Sequence, residues 1–351
     1  MTNNLNSEPL DEILGKYPFT IKQVRTESYK QKKGVWWVET TKGTKILKKH
    51  PNSEPLLLFL LAATIHLQER GINIPKVNTT IDGCPYVKIG ETCYILIDAV
   101  EGINPDYGKQ RELEVFVREL GRFHSASAGF VPPKESMVRQ HLGNWLEDYS
   151  DVVSRLKEFY NEEKNQKIHG EFGKIILEVF YLFLEKMEIS IAGLKSPQYT
   201  TWVNKTAAAG GLCHQDFAAG NVLLNSSGKV FVIDTDSITL DLPARDIRKL
   251  LNKVMKKNGT WDAALLNDIL RWYQQENPLT SDEWAVVKLD LVFPHLFAGI
   301  MDKYYRRREK DWTEDKYVSR LKEMIAIEQS KDYALNKYEA IIEKIQKDLF
   351  F

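Results

Sequence analysis

The chain has 351 residues, 43% of them apolar, which is enough for one large or two modest domains with proper cores. Lysine plus arginine and aspartate plus glutamate both number 48, so no global field draws it to nucleic acid, an anionic membrane or an acidic substrate, and a partner must be recognised locally. The start, MTNNLNSEPLDEILGKYPF, has no basic segment followed by an apolar one, and no uninterrupted apolar run approaches the roughly 20 residues of a membrane span; synthesis in a cytosol is expected.

The first hundred residues read as strands with one helix. FTIKQVRTES, GVWWVETT and TKILKKH carry β-branched and aromatic residues between turn signals, with a Lys42-Gly43 turn, and predict a small antiparallel sheet. From Ser53 to Gly71 a long apolar pattern opens with a serine cap and Pro55 in the first turn and closes at glycine, which predicts a buried helix. Strands resume at PYVKIG and ETCYILIDAV. The run Glu101-Gly102-Ile103-Asn104-Pro105 is the best break in the chain, so a lobe over 1–100 and a second over 101–351 are expected. Beyond the break the pattern is helical, from RELEVFVRELGRFHSAS through GKIILEVFYLFLEKMEIS to NKYEAIIEKIQKDLF, with NEEKNQKIHGEFG as a polar connection. Trp261, Trp272, Trp284 and Trp312 fall at helical positions and read as core or pocket wall. The expected class is α+β.

Three cysteines, Cys84, Cys93 and Cys213, give an odd number without CxxC spacing, against a disulfide framework or a zinc site. Cys213 is expected to be a small buried hydrophobe, since no neighbouring cation is evident to activate its thiol.

One strand pair interrupts the helices: GLCHQDFAAGNVLLNSSGKVFVIDTDS, residues 211–237. Asp216 and Asn221 lie on the loop before VLL, and Asp234 ends the returning strand VFVI, so a hairpin of this length brings Asp234 back beside Asn221. Phosphoryl transfer needs a group to orient the acceptor hydroxyl and oxygen ligands for Mg²⁺ on the nucleotide phosphates. Asp216 suits the first task, Asn221 and Asp234 the second. The plainer reading is a hairpin with polar ends, since Asp and Asn form turns readily. His214 reads as a brace for the loop, and Asp236 as either an extra metal contact or a turn former. Asp246, before the helical run IRKLLNKVMKK, reads as the cap or anchor of that helix.

The pattern CHQDFAAGNVLL followed by FVIDTDS resembles the H-x-D-x-x-x-x-N and I-D motifs of the aminoglycoside phosphotransferase and choline kinase group, within the bilobal protein-kinase-like fold. The resemblance implies a small strand-rich lobe with one helix and a larger helical lobe. It also implies Asp216 as catalytic aspartate, Asn221 and Asp234 as Mg²⁺ ligands, and Lys48 of KILKKH as the lysine on ATP phosphates. More narrowly, the tryptophan-bearing second strand, LKKHP, the long PLLLFLLAATIHLQERG helix and the FPHLF and KYYRRREKDW segments resemble the CotS-type spore coat proteins of endospore-forming bacilli. That implies deposition in the coat from the mother-cell cytosol, among other coat proteins.

Several positions depart from the group. ESYKQKKG before the second strand reads as a loop with one glycine, Gly34, where kinases use several; Lys30, Lys32 and Lys33 either substitute for it or are solvated. The helix position for a lysine-pairing glutamate falls near Leu60, which leaves Glu54 as a distant candidate partner for Lys48. Gln215 stands where glycine or arginine is usual. Only eleven residues separate Asp234 from Asp246, too few for a peptide platform, so a small-molecule acceptor is expected. KYYRRREKDW mixes base and aromatic but reads as a solvated helix face rather than a nucleic-acid site. Two functions compete: an ATP- and Mg²⁺-dependent small-molecule phosphotransferase, and a structural coat component on a kinase-like scaffold.

Overall fold

The computed structural model describes residues 8–30 and 33–349. The chain divides into two compact units, one taking residues up to 105 with 130–139 and 219–238, the other taking 106–129, 140–218 and 239 onward.

The first unit opens with α1 (Leu10–Leu14), β1 (Ile21–Lys30), β2 (Lys33–Thr40), β3 (Gly43–His50), α2 (Glu54–Glu69), β4 (Val77–Asn78), β5 (Val87–Ile89) and β6 (Thr92–Asp98). The strands form an antiparallel sheet in the order β1-β2-β3-β6-β4, with β5 on β6. Successive side chains alternate between faces. Trp36, Val38, Leu47, Tyr94 and Leu96 therefore close a core with Ile13, Leu14 and Tyr17. Cys93 and Ile95 pack with Leu57 and Leu61 of α2 in a second cluster. Lys48 is one residue out of phase with Leu47, and lines a cavity of about 30 Å³ with Leu57, Leu60, Leu61 and Thr64.

Ser53 occupies the N-cap of α2, with Pro55 in the first turn, but its side chain makes no capping hydrogen bond. The described part of ESYKQKKG is strand rather than loop: β1 runs to Lys30, which pairs with Lys33 at the start of β2. Lys32 lies outside the described residues. Gly34 serves packing, since a Cβ there would stand 2.3 Å from the ring of Trp36, itself buried.

In the second unit, α3 (Gln110–Ala126), α4 (Trp145–Lys164), α5 (Glu171–Leu194) and α6 (Pro197–Ala209) precede β7 (Leu212–Cys213). The chain then supplies β8 (Val222–Leu224) and β9 (Val230–Val232) to the first unit. It returns at β10 (Thr239–Leu240), paired with β7, and continues as α7 (Ala244–Asn258), α8 (Ala263–Glu276), α9 (Ser281–Val292), α10 (His295–Tyr305), α11 (Glu314–Leu335) and α12 (Tyr338–Leu349). Helix α4 continues to Lys164 and α5 starts at Glu171, so only the middle of NEEKNQKIHGEFG, residues 165–170, connects helices. Trp261 and Trp312 sit in loops rather than helices; Trp261, Trp272 and Trp284 are buried. Ser281–Tyr305 is long and apolar enough to cross a membrane by length and composition, with mean hydropathy 1.4, although charged residues interrupt it and no uninterrupted apolar run of that length occurs. Phe293 and Pro294 break it into α9 and α10, and 61% of the apolar window is buried inside the protein.

Candidate active site

The hairpin β8–β9 fixes the first group of residues. Val222 pairs with Val232, so Asn221 comes opposite Ile233, whose N–H donates to the Asn221 carbonyl at 2.9 Å. Asp234 follows directly, and the predicted approach of Asp234 to the Asn221 position is what the register produces. Asn104 ties down the loop from outside, its Nδ2 donating to the carbonyls of Ala219 and Val222 at 3.0 Å each. Asp234 has φ 58° and ψ 59°, the left-handed region that costs a non-glycine residue about 1–3 kcal/mol. The conformation aims its carboxylate at Lys48, whose Nζ lies 3.2 Å from Oδ1. Lys48 thus has a partner 186 residues away. Glu54 is not that partner: its carboxylate takes the Tyr86 hydroxyl at 2.6 Å and Lys88 at 2.7 Å.

Asp236 lies in the short 3-10 turn Thr235–Ser237 and sits among basic side chains. Lys33 lies 3.5 Å from Oδ2 and the buried His50 3.9 Å from Oδ1, while Arg139 donates to its backbone carbonyl at 2.6 Å. Burial works to raise its carboxyl, but Lys48, His50 and Lys33 outweigh that and hold it below the usual carboxylate range. Of the two described lysines in this segment, Lys33 is therefore engaged, and Lys30 is exposed.

The second group lies in the second unit, on the loop that leaves β7. His214 is fully buried, its ring edge-on to Phe123 and Phe217. Its N–H donates to Asp246 Oδ2 at 2.6 Å, and the N–H of Gln215 donates to Oδ1 at 2.9 Å. His124 Nε2 stands 3.3 Å from the same carboxylate and Nδ1 2.8 Å from the Tyr273 hydroxyl. Asp246 therefore clamps the loop. It is not a cap for α7, which starts at Ala244 after Pro243. Burial pushes this carboxyl up; His124, then Lys249 and His214, overcome it and leave it below its ordinary value. Gln215 has φ 67°, a second strained residue, and its carbonyl and Oε1 both accept from Lys249 Nζ, at 2.6 and 2.8 Å. Burial lowers Lys249 to about 8. The Gln215 amide also donates to Asp241 at 3.3 Å, and Asp241 is held in turn by the Trp145 indole at 2.8 Å and by Arg245. Asp216 follows, its side chain 57% exposed, with Lys253 Nζ 2.8 Å from Oδ1.

His124, Cys213 and Asp246 bring donor atoms within 4.8 Å of one another, but this trio braces the loop. Both Asp246 oxygens already accept backbone N–H groups, and the Cys213 thiol, pushed well up by burial, donates to the carbonyls of Asp241 and Leu242. The buried, unreactive Cys213 expected from sequence is what the fold contains. Sequence reasoning missed Asp241, Lys249 and Lys253. A cavity of about 530 Å³ in the helical unit, walled by Trp284, Leu289, Tyr338 and Ile342, is lined by no residue of the 214–216 loop.

Against known proteins, residues 21–338 match the model of the family described as spore coat putative kinase YutH. Spore coat protein S of Bacillus subtilis (strain 168) is 35% identical over 342 residues, which cover 96% of this chain and 95% of that protein. An aminoglycoside phosphotransferase from Alicyclobacillus acidocaldarius has a TM-score of 0.78 at 18% identity, covering 96% of both chains. Spectinomycin phosphotransferase APH(9)-Ia, solved with ADP and spectinomycin, has a TM-score of 0.63 at 13% identity, covering 94% of this chain and 96% of that one. The α+β architecture is thus the kinase-like fold of small-molecule phosphotransferases, and the chain belongs to the spore coat putative kinase family, among spore coat proteins.

Proposed function

We propose that this chain is an ATP- and Mg²⁺-dependent phosphotransferase acting on a hydroxyl of a small molecule, made in the mother-cell cytosol and working in the spore coat with other coat proteins. The observation that carries this reading is the ion pair of Lys48 with Asp234, an aspartate held in the left-handed region at the end of its hairpin. Asn221 and Asp234 offer amide and carboxylate oxygens, the donors a hard divalent cation takes, and a partly exposed Asp234 can exchange Lys48 for a metal. Magnesium supplies neutralisation of charge on the nucleotide phosphates. Lys48 receives those phosphates, and Asp216 takes the proton of the acceptor hydroxyl. His214 and Asp246 fix the loop that carries Asp216, and Asp236 gathers Lys33 and His50 beside Lys48. The ADP and spectinomycin bound to one structural neighbour support a nucleotide and a small-molecule acceptor.

A second reading, a coat scaffold without turnover, is favoured by Gly34: the glycine of the hairpin is occupied with Trp36 rather than free for phosphate. Thermal unfolding with Mg-ATP tests nucleotide binding. At one hundred times its dissociation constant the ligand is expected to stabilise by about 2.7 kcal/mol, and the absence of a shift with any divalent metal would sink the nucleotide claim. Turnover is tested by ATP consumption against a panel of hydroxylated metabolites. Asp216→Asn is expected to lower the rate by about 10²-fold or more. An unchanged rate would remove Asp216 from this role, and a thermal shift without consumption would favour the scaffold.

A further inference from the structure

Between His214 and Asn221 the loop reads His-Gln-Asp-Phe-Ala-Ala-Gly-Asn and holds neither lysine nor arginine. In phosphoryl transfer the new bond forms at the acceptor oxygen, so negative charge collects beside whichever group holds that hydroxyl, and a cation placed there stabilises the transition state. Helix α7 brings cations to this point. Lys249 and Lys253 are four residues apart, so they share a helix face and meet consecutive residues of the loop. Lys249, mostly buried, is committed to the carbonyl and Oε1 of Gln215. Lys253 reaches Asp216 with its side chain 36% exposed, which leaves it room to move.

Resting on the reading that Asp216 takes the acceptor proton, we infer that Lys253 is a catalytic residue, the cation that binds the phosphoryl group as it arrives at the acceptor oxygen. The proton of the hydroxyl passes to Asp216 and the oxygen forms its bond to the γ-phosphorus of ATP. The bond from that phosphorus to the β,γ-bridging oxygen breaks, and its electron pair leaves with ADP. Lys253 keeps its proton throughout. As Asp216 is neutralised by the proton it receives, the ion pair loses its attraction, and the ammonium is released to donate to a phosphoryl oxygen.

Aluminium fluoride with Mg-ADP mimics the transferring group without requiring a known acceptor. The full chain is expected to gain thermal stability with Mg-ADP and a further increment on adding fluoride. Lys253→Ala should keep the first shift and lose the increment, and Lys253→Arg should recover part of it. Intrinsic ATP hydrolysis, with water as acceptor, is expected to fall about 10²-fold in kcat for Lys253→Ala at an unchanged KM for ATP. If Lys253 is only an ion-pair partner, its removal takes one cation from the Asp216 carboxylate and nothing from the transferring group; a rate equal to or above the wild type, or an intact fluoride increment, overturns the inference. Should Asp216→Asn slow hydrolysis while Lys253→Ala does not, this inference alone falls. If the wild type shows no shift with Mg-ADP, the phosphotransferase reading falls and takes the inference with it.

Discussion

Asp246→Ala is expected to cost at least about 3 kcal/mol of stability and to reduce phosphoryl transfer by more than about 10²-fold. The carboxylate is buried and accepts from the backbone of His214 and Gln215, with His124 at its edge. Alanine leaves those buried donors without their acceptor, at about 1–3 kcal/mol each where water cannot reach. The functional loss has a separate cause. Gln215 holds a left-handed conformation only while its neighbours over-determine it, and Asp216 takes its direction from Gln215. Once the clamp is gone the loop relaxes, and a displacement of about 1 Å is enough for a hundredfold loss. Asp246→Asn separates the two effects, because it keeps the shape but turns one acceptor into an NH₂ facing a backbone N–H. Urea unfolding and ATP turnover measured on both variants check this; a loss below about 1 kcal/mol for alanine would show that the loop does not depend on Asp246.

The features legible in the sequence are those with a local physical signature. The β-branched and aromatic residues of GVWWVETT and TKILKKH, set between turn signals, marked the central strands, in which one residue in two enters the core. Pro55 and Gly71 marked α2 through fixed and positive φ respectively. The β1–β2 ribbon was less legible since its outer half, from Arg25 to Lys30, is exposed on both faces and shows no alternation. The apolar span from Ser281 to Tyr305 was obscured by Asp282, Glu283, Lys288 and Asp290 set among its hydrophobic residues.

At the site, the hairpin placed Asn221 and Asp234 by register alone, which is why sequence spacing sufficed. Partners that depend on packing were not legible in the same way. Lys48 was sought a glutamate on α2, the adjacent helix, and meets Asp234 instead. Asp246 was read against its own helix because capping is a local rule, whereas its hydrogen bonds run to residues 31 and 32 positions earlier. For Lys249 and Lys253 a signal existed: Arg245, Lys249, Lys253 and Lys257 recur every four residues and so form one basic stripe along α7. Asp241 had no such signal, since its contacts with Trp145 and Gln215 arise only when the helices pack.

The largest purely structural effect is expected at Asp290, away from the loop. This side chain is fully buried on α9 and accepts from the Tyr149 hydroxyl, from His295 Nε2 at 2.7 Å and from Arg248 Nε at 3.2 and 3.3 Å. Burial alone would raise its carboxyl; Arg248 and then His295 overcome it and hold it well below the carboxylate range. Asp290→Ala leaves the nearly buried Arg248 without its counter-charge, and removing one partner of such a pair costs about 3–5 kcal/mol. The same cluster sets an acid dependence. Burial lowers His295 to about 3, so the folded chain leaves it neutral while the unfolded chain takes up a proton near 6.5. Below that pH the unfolded state binds more protons, and stability falls as pH falls. Asp290 acts in the same direction at lower pH, because a depressed carboxyl contributes stability that protonation removes. Urea midpoints measured from pH 7 to pH 4 are therefore expected to decline in the wild type and to decline less in His295→Gln, which has no proton to gain. Equal slopes in the two proteins would show that His295 is not the group responsible, and a loss under about 1 kcal/mol for Asp290→Ala would show that Arg248 finds another partner.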